Sequence, residues 1–134
     1  MAIWQMILIV LHVVPGVYWA GTTFALARDP MMGNLDLGRA QAGAAGVVVL
    51  MGIILMVVHY DIAPGAQEWV LGIGALLAIA AAGVQHGLAW PARRRLARSG
   101  GNEAADRRRA TVGQRIASLL LALAVCTMVI WRYI

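Results

Sequence analysis

Lysine is absent from this chain, cysteine occurs once, and the apolar stretches carry no acidic residue in their interior. All 11 basic residues are therefore arginine, and lysine-dependent chemistry is excluded. Cys126 alone cannot form an intramolecular disulfide or a cysteine metal cluster. Because no carboxylate lies deep within an apolar stretch, a carboxylate-driven proton or drug antiporter is not expected either.

Hydrophobic residues make up 61% of the 134 residues and charged residues only 13%, which is typical of a polytopic membrane protein. The formal net charge of +5 would suggest a nucleic-acid ligand in a soluble chain. Here the arginines are concentrated between apolar stretches, where they set membrane topology, so no nucleic-acid partner is expected. The length allows one domain, residues 1–134.

Four apolar runs are long enough to cross a membrane. Each exceeds the ~20 residues that a helix needs to span a hydrocarbon core of ~30 Å. The first run has no basic segment before it and is longer than the core of a signal peptide, so it is predicted to be a retained helix. The sequence therefore predicts an all-α integral membrane bundle of four transmembrane helices. The runs cover residues 3–27, 40–60, 68–90 and 111–133.

The arginine-rich segment 91–110 decides the predicted topology. Short loops rich in arginine stay on the cytoplasmic side of a membrane, so this loop and the first connection, near Arg28, are predicted to be cytoplasmic. The acidic connection at Asp61 then lies outside, together with the N-terminus and the C-terminus. Tryptophan and tyrosine at the predicted boundaries agree with this topology, because both favour membrane interfaces.

Small residues recur at helical spacing in the second and fourth runs. Such lines let helix backbones approach closely, and packing of this kind associates helices in lipid. Plain helix packing is the commoner cause of the pattern, and space for a flat cofactor is the functional alternative. The second run carries Gly38, Ala42, Ala45, Val49, Gly52, Met56 and His59, and the fourth carries Gln114, Ser118, Ala122 and Cys126.

Three histidines, His12, His59 and His86, are the titratable groups within the predicted spans besides arginines at the span ends. An ionisable residue within a span is a functional hypothesis by default. His12 lies deepest and shares a helical face with Gly16 and Trp19. His59 is expected at the outer rim, where an interfacial role is the simpler explanation. His86 is expected near the inner end of the third helix, where it can also simply hydrogen-bond a neighbouring helix.

Neutral imidazole is a good ligand for haem iron, copper and zinc. Two histidines from different helices of a bundle can hold haem b in a dry core, which makes His12 and His86 the candidate pair. At 1.5 Å per residue, His12 lies about 14 Å and His86 about 27 Å below the outer boundary, so the pair needs tilted helices or a tilted haem. Copper is the alternative metal, bound by His12, His59 and Met56 from the outer side.

Residues 11–21, LHVVPGVYWAG, read as histidine, six residues, tryptophan, one residue and glycine. This segment resembles the first-helix signature of two related bacterial families, the HemJ-type protoporphyrinogen oxidases and the CopD-type copper-resistance membrane domains. The resemblance implies a bundle with short loops in which His12 takes part in haem binding, as in the HemJ-type family. His86 is similar in place to a further histidine of that family. The family's lysine on a later helix has no counterpart here, since the chain contains none.

These observations favour a haem b-binding redox protein of the bacterial inner membrane, with His12 and His86 as ligands and Trp19 and Gly16 beside them. Its reaction would be electron transfer, or a redox step on a quinone or a porphyrin, so a membrane oxidoreductase is a possible class. Two alternatives stay open. The chain is a copper-handling membrane protein, or a structural subunit whose small-residue seams contact partner membrane subunits or further copies of itself.

Overall fold

The computed structural model describes residues 2–59, 65–98 and 101–134, and the side chain of His59 lies outside this description. Within those ranges all regular structure is helical, and four helices are long and apolar enough to cross a membrane. The prediction of an all-α bundle with four candidate spanning helices is confirmed. The elements are α1 (Ile3–Arg28), α2 (Leu35–His59), α3 (Ala66–Val84), a π-helical turn (Gln85–Ala89), α4 (Trp90–Ala97), α5 (Glu103–Ile130) and a closing 3-10 turn (Trp131–Tyr133).

The third candidate span runs without a break from α3 through the π-helical turn into α4, over Ala66–Ala97. In the π turn the backbone N–H of Trp90 donates to the carbonyl of Gln85, five residues earlier. Pro91 follows at the start of α4. A proline in a regular helix lacks an N–H and its ring collides with the carbonyl four residues before it. The π turn ends two residues before this proline, and the helix continues through both.

The bundle is arranged so that α1 packs against α2 on one side and α5 on the other, while α5 also packs along α3. Helices α2 and α3 approach each other only loosely. The core is rich in alanine, which lets the helix backbones come close and gain packing contacts in place of the hydrophobic driving force that lipid does not supply. The core residues are Trp19, Ala45, Val48, Ala78, Ala81, Ala117, Leu121 and Ala124.

Burial is uneven along the bundle. We call the end where α1 finishes, α2 begins and α4 meets α5 the arginine-rich end. The buried residues of α1 begin at Trp19, and no described residue of α2 beyond Val48 is buried. By contrast, α5 has buried residues from Asp106 to Ala124. The bundle is therefore tightly packed at the arginine-rich end, while the opposite halves of α1 and α2 are largely open.

The prediction that residues 91–110 form a loop is wrong. The chain is helical over Trp90–Ala97 and again from Glu103, so helices cover most of the predicted loop. Alanine and arginine are both good helix formers, so losing hydrophobicity does not end a helix. The side chain of Asn102 accepts from the backbone N–H of Ala105 and caps the start of α5.

The second helix also starts earlier than predicted, at Leu35 instead of residue 40. The side-chain oxygen of Asn34 accepts from the backbone N–H groups of Asp36 and Leu37, at 3.1 and 3.3 Å. These bonds satisfy N–H groups that have no partner within the first turn of a helix. The predicted connection between the second and third helices, at 61–65, lies mostly outside the described residues.

Candidate functional site

His12 lies half-buried on α1 and is held by the backbone of α2. Its Nδ1 is 2.9 Å from the carbonyl oxygen of Val48. A carbonyl oxygen only accepts hydrogen bonds, so the ring must carry its proton on Nδ1. A metal bound by this ring would then be bound through Nε2. The contact fixes both the tautomer and the direction of the ring.

Two glycines surround this contact. Gly52, one turn beyond Val48, has no side chain where the imidazole lies. A Cβ at this position would be 3.1 Å from His12 Cε1 and 3.5 Å from Nδ1. On α1, Gly16 is one turn after His12, and a Cβ there would be 3.7 Å from the side chain of Val48, an ordinary contact. Gly52 therefore makes room for the ring, whereas Gly16 is not required for it.

His86 follows Gln85, which bonds Trp19 about two helical turns beyond His12 on α1. It lies in the π-helical turn with an exposed side chain, while its neighbour Gln85 is buried. Met56 is half-buried on α2, one turn beyond Gly52. Within the described ranges, no group of three or more His, Cys, Asp or Glu side chains comes together as a metal site. Of the predicted metal ligands that are described, His12 is the one oriented by a backbone contact, and Met56 lies one turn beyond Gly52 on α2; the side chain of His59 lies outside the described residues.

Trp19, which was predicted to lie beside a cofactor, is hydrogen-bonded within the protein itself. It is 1% exposed, and its indole Nε1 donates to Gln85 Oε1 at 2.6 Å. Together with Thr23, Gln41 and Gln114 these two residues form a buried set that we call the polar layer. Its members come from α1, α2, the π turn and α5, so all four candidate spans contribute.

Hydrogen bonds connect the polar layer into one network. The Nε2 of Gln85 donates to Thr23 Oγ1 at 2.8 Å and to Gln114 Oε1 at 3.1 Å. The Nε2 of Gln41 lies 3.4 Å from the same Thr23 oxygen, and the Thr23 hydroxyl donates to the Trp19 carbonyl at 2.7 Å. Buried polar groups are costly without partners, so this network fixes the rotation of each helix about its axis.

The sequence pattern did not single out Gln85, because the alanines of this helix do not show which of its faces is buried. Alanine occupies positions 75, 78, 80, 81 and 82, so every face of that helix has small residues. The buried line is Gly74, Ala78, Ala81 and Gln85, and the next residue, His86, lies about 100° around the helix from Gln85. Glutamine in each of three apolar runs was the available signal, since uncharged polar side chains in lipid face neighbouring helices.

Comparison of the chain with protein-family models, with characterised proteins and with solved structures finds no match. The contacts of His12 and the polar layer are therefore the basis on which a function is assigned.

Proposed function

We propose that this chain is a multi-pass membrane protein that binds haem b through His12 and takes part in electron transfer. The observation that supports this is the hydrogen bond from His12 Nδ1 to the Val48 carbonyl. Histidines that ligate a metal almost always donate their other ring N–H to a carbonyl or carboxylate, which orients the ligand nitrogen and raises its basicity. His12 meets this condition before any metal is bound.

His12 is the residue that would hold the haem iron, and a single histidine ligand is common among haem proteins. The side chain of His86 is exposed. When bound, haem supplies one-electron chemistry, and the protein's part is to orient the ligand and control access of water. The Val48 carbonyl holds the imidazole in place by accepting its hydrogen bond, and Gly52 leaves room for the ring.

The open half of the bundle gives a partner access to this histidine. No described residue of α1 before Trp19 and none of α2 after Val48 is buried, so a lipid-soluble quinone or porphyrin can approach His12 from the bilayer. We infer that the arginine-rich end faces the cytoplasm of a bacterial cell, because arginine is retained on that side. His12 would then lie in the outer half of the inner membrane.

The test is an absorption spectrum of detergent-purified protein from haem-supplied cells, oxidised and then reduced with dithionite. We expect a Soret band that sharpens on reduction, is lost in His12→Ala and persists in His86→Ala. His86→Ala is the matched control because it removes an exposed imidazole from a neighbouring span. A colourless wild-type protein from such cells would contradict haem binding, and copper analysis of that sample would then test the copper alternative.

A structural subunit of a larger membrane complex is the second candidate function. It is favoured by the polar layer and the alanine core, which fill the tightly packed half with protein side chains. Under this proposal, purification in a mild detergent yields the chain with partner subunits. His12→Ala then leaves that assembly intact, whereas a change in the polar layer disrupts it.

A further inference from the structure

One arginine at the arginine-rich end differs from its neighbours. Arg93 on α4 is 6% exposed, whereas Arg94, Arg95 and Arg98 beside it are exposed. Its Nη2 donates to the carbonyl of Met32, in the connection between α1 and α2, at 3.0 Å. Its Nη1 is buried and has no hydrogen-bond partner. Half of the guanidinium fork is therefore occupied and half is vacant.

No carboxylate in the described part of the chain pairs with Arg93. The acidic side chains at this end are bound by other groups. Asp106 pairs with Arg95 and Arg109, Glu103 with Arg107, Asp36 with Arg39, and Asp29 accepts from the backbone of Met31. A buried charge without a counter-charge is strongly destabilising, so an anion from outside the chain is expected at Arg93.

The position and the shape of this group indicate which anion it is. Arg93 is three residues beyond Trp90, at the end of an apolar span, which is the depth at which phospholipid headgroups lie. A guanidinium matches the oxygens of a phosphate with two parallel hydrogen bonds. Basic pockets between helices at the cytoplasmic surface of membrane proteins bind anionic headgroups in this manner.

We propose that Arg93 binds the phosphate of an anionic phospholipid, in the corner between α4 and the connection from α1 to α2. The phosphate takes the place of the Met32 carbonyl on one nitrogen and satisfies the vacant Nη1. Residues 31–34 are exposed, so the segment that accepts the hydrogen bond of the guanidinium lies at the surface of the protein. Exposed arginines nearby, such as Arg94 and Arg98, add attraction to anionic lipid without defining the site.

The experiment compares thermal stability of the purified full chain in a neutral detergent on adding phosphatidylglycerol, phosphatidylcholine or inorganic phosphate. We expect phosphatidylglycerol alone to raise Tm at low concentration. Arg93→Gln should raise the half-saturating concentration of this lipid about tenfold, the loss of one charge-assisted contact. Arg94→Gln removes the same charge from an exposed neighbour and should retain the wild-type response.

Several results would overturn this site. Equal losses in Arg93→Gln and Arg94→Gln would indicate diffuse surface charge, and an unchanged response in Arg93→Gln would remove Arg93 from binding. Protection by inorganic phosphate alone would assign the site to free phosphate. If Arg93→Gln does not fold, Arg93→Lys keeps the charge without the planar fork, and wild-type affinity in that variant would refute the two-bond contact. His12→Ala should leave the lipid response unchanged, which separates this proposal from haem binding.

Discussion

At the scale of single residues, the contact between His12 and α2 depends on the absence of a side chain at Gly52. Gly52 leaves open the space that the imidazole edge occupies, and the Val48 carbonyl lies close enough to accept the ring N–H. An ionisable residue in an apolar run identified His12 from the sequence. Its partner is a backbone carbonyl, which every residue has, so no pattern of side chains could reveal it.

Gly52→Ala is predicted to weaken this contact. The added Cβ would be 3.1 Å from His12 Cε1, so the ring must move by a few tenths of an ångström and its bond to Val48 lengthens. Under the haem proposal, the Soret absorbance per protein falls while the chain still folds. Gly43→Ala is the control on the same helix, since a Cβ there meets nothing within 4 Å. Equal haem content in both variants would show that ring position is unimportant.

At the scale of helices, the polar layer is centred on Gln85, the first residue of the π-helical turn, which is hydrogen-bonded to three other members of the layer. The four apolar runs were predictable because length and hydrophobicity decide which segments can cross a membrane. The ends of the helices were not predictable from hydrophobicity. Arginine and alanine extend the helices beyond the apolar runs, and asparagine caps determine where α2 and α5 begin. Apart from Pro91, nothing in the sequence predicted the π turn.

Gln85→Leu is predicted to destabilise the bundle by about 1–3 kcal/mol, because it leaves the buried Trp19 indole N–H without its acceptor. It also removes the bonds that link α1, through Thr23, and α5, through Gln114, to the π turn. The measurement is thermal or denaturant unfolding in a fixed detergent. His86→Ala alters the next residue of the same turn on its exposed side and should change stability by less than about 0.5 kcal/mol. Similar losses in the two variants would contradict a structural role for the layer.

At the scale of the whole molecule, charge is segregated to one end. Arginines are concentrated where α1 finishes and α4 meets α5, and several are paired there with acidic residues, as Arg95 is with Asp106 at 2.8 Å. Exposed pairs such as Arg107 with Glu103 stabilise the surface only slightly. The excess of arginine instead predicts which end is retained in the cytoplasm, by the rule that governs insertion of short loops.

This topology can be tested by labelling single cysteines in intact spheroplasts with a membrane-impermeant maleimide. In a Cys126→Ser background, Ala2→Cys should be labelled from outside and Ala104→Cys only after lysis. Both positions are exposed and lie near opposite ends of the bundle. Labelling of Ala104→Cys without lysis would invert the topology and place the Arg93 site at the outer leaflet.

The π-helical turn accommodates one residue more than regular α-helical winding would. Deleting one residue within Gln85–Ala89 would therefore restore regular winding and leave α4 on the same face of the bundle. Deleting one residue from the regular part of α3 would instead rotate everything beyond it by about 100°. Ala92 and Arg93 would then leave the interior, and Trp90 would no longer lie over Gly38. Among descendants of this sequence, single-residue deletions should therefore be found in the turn and be eliminated from the regular part of α3.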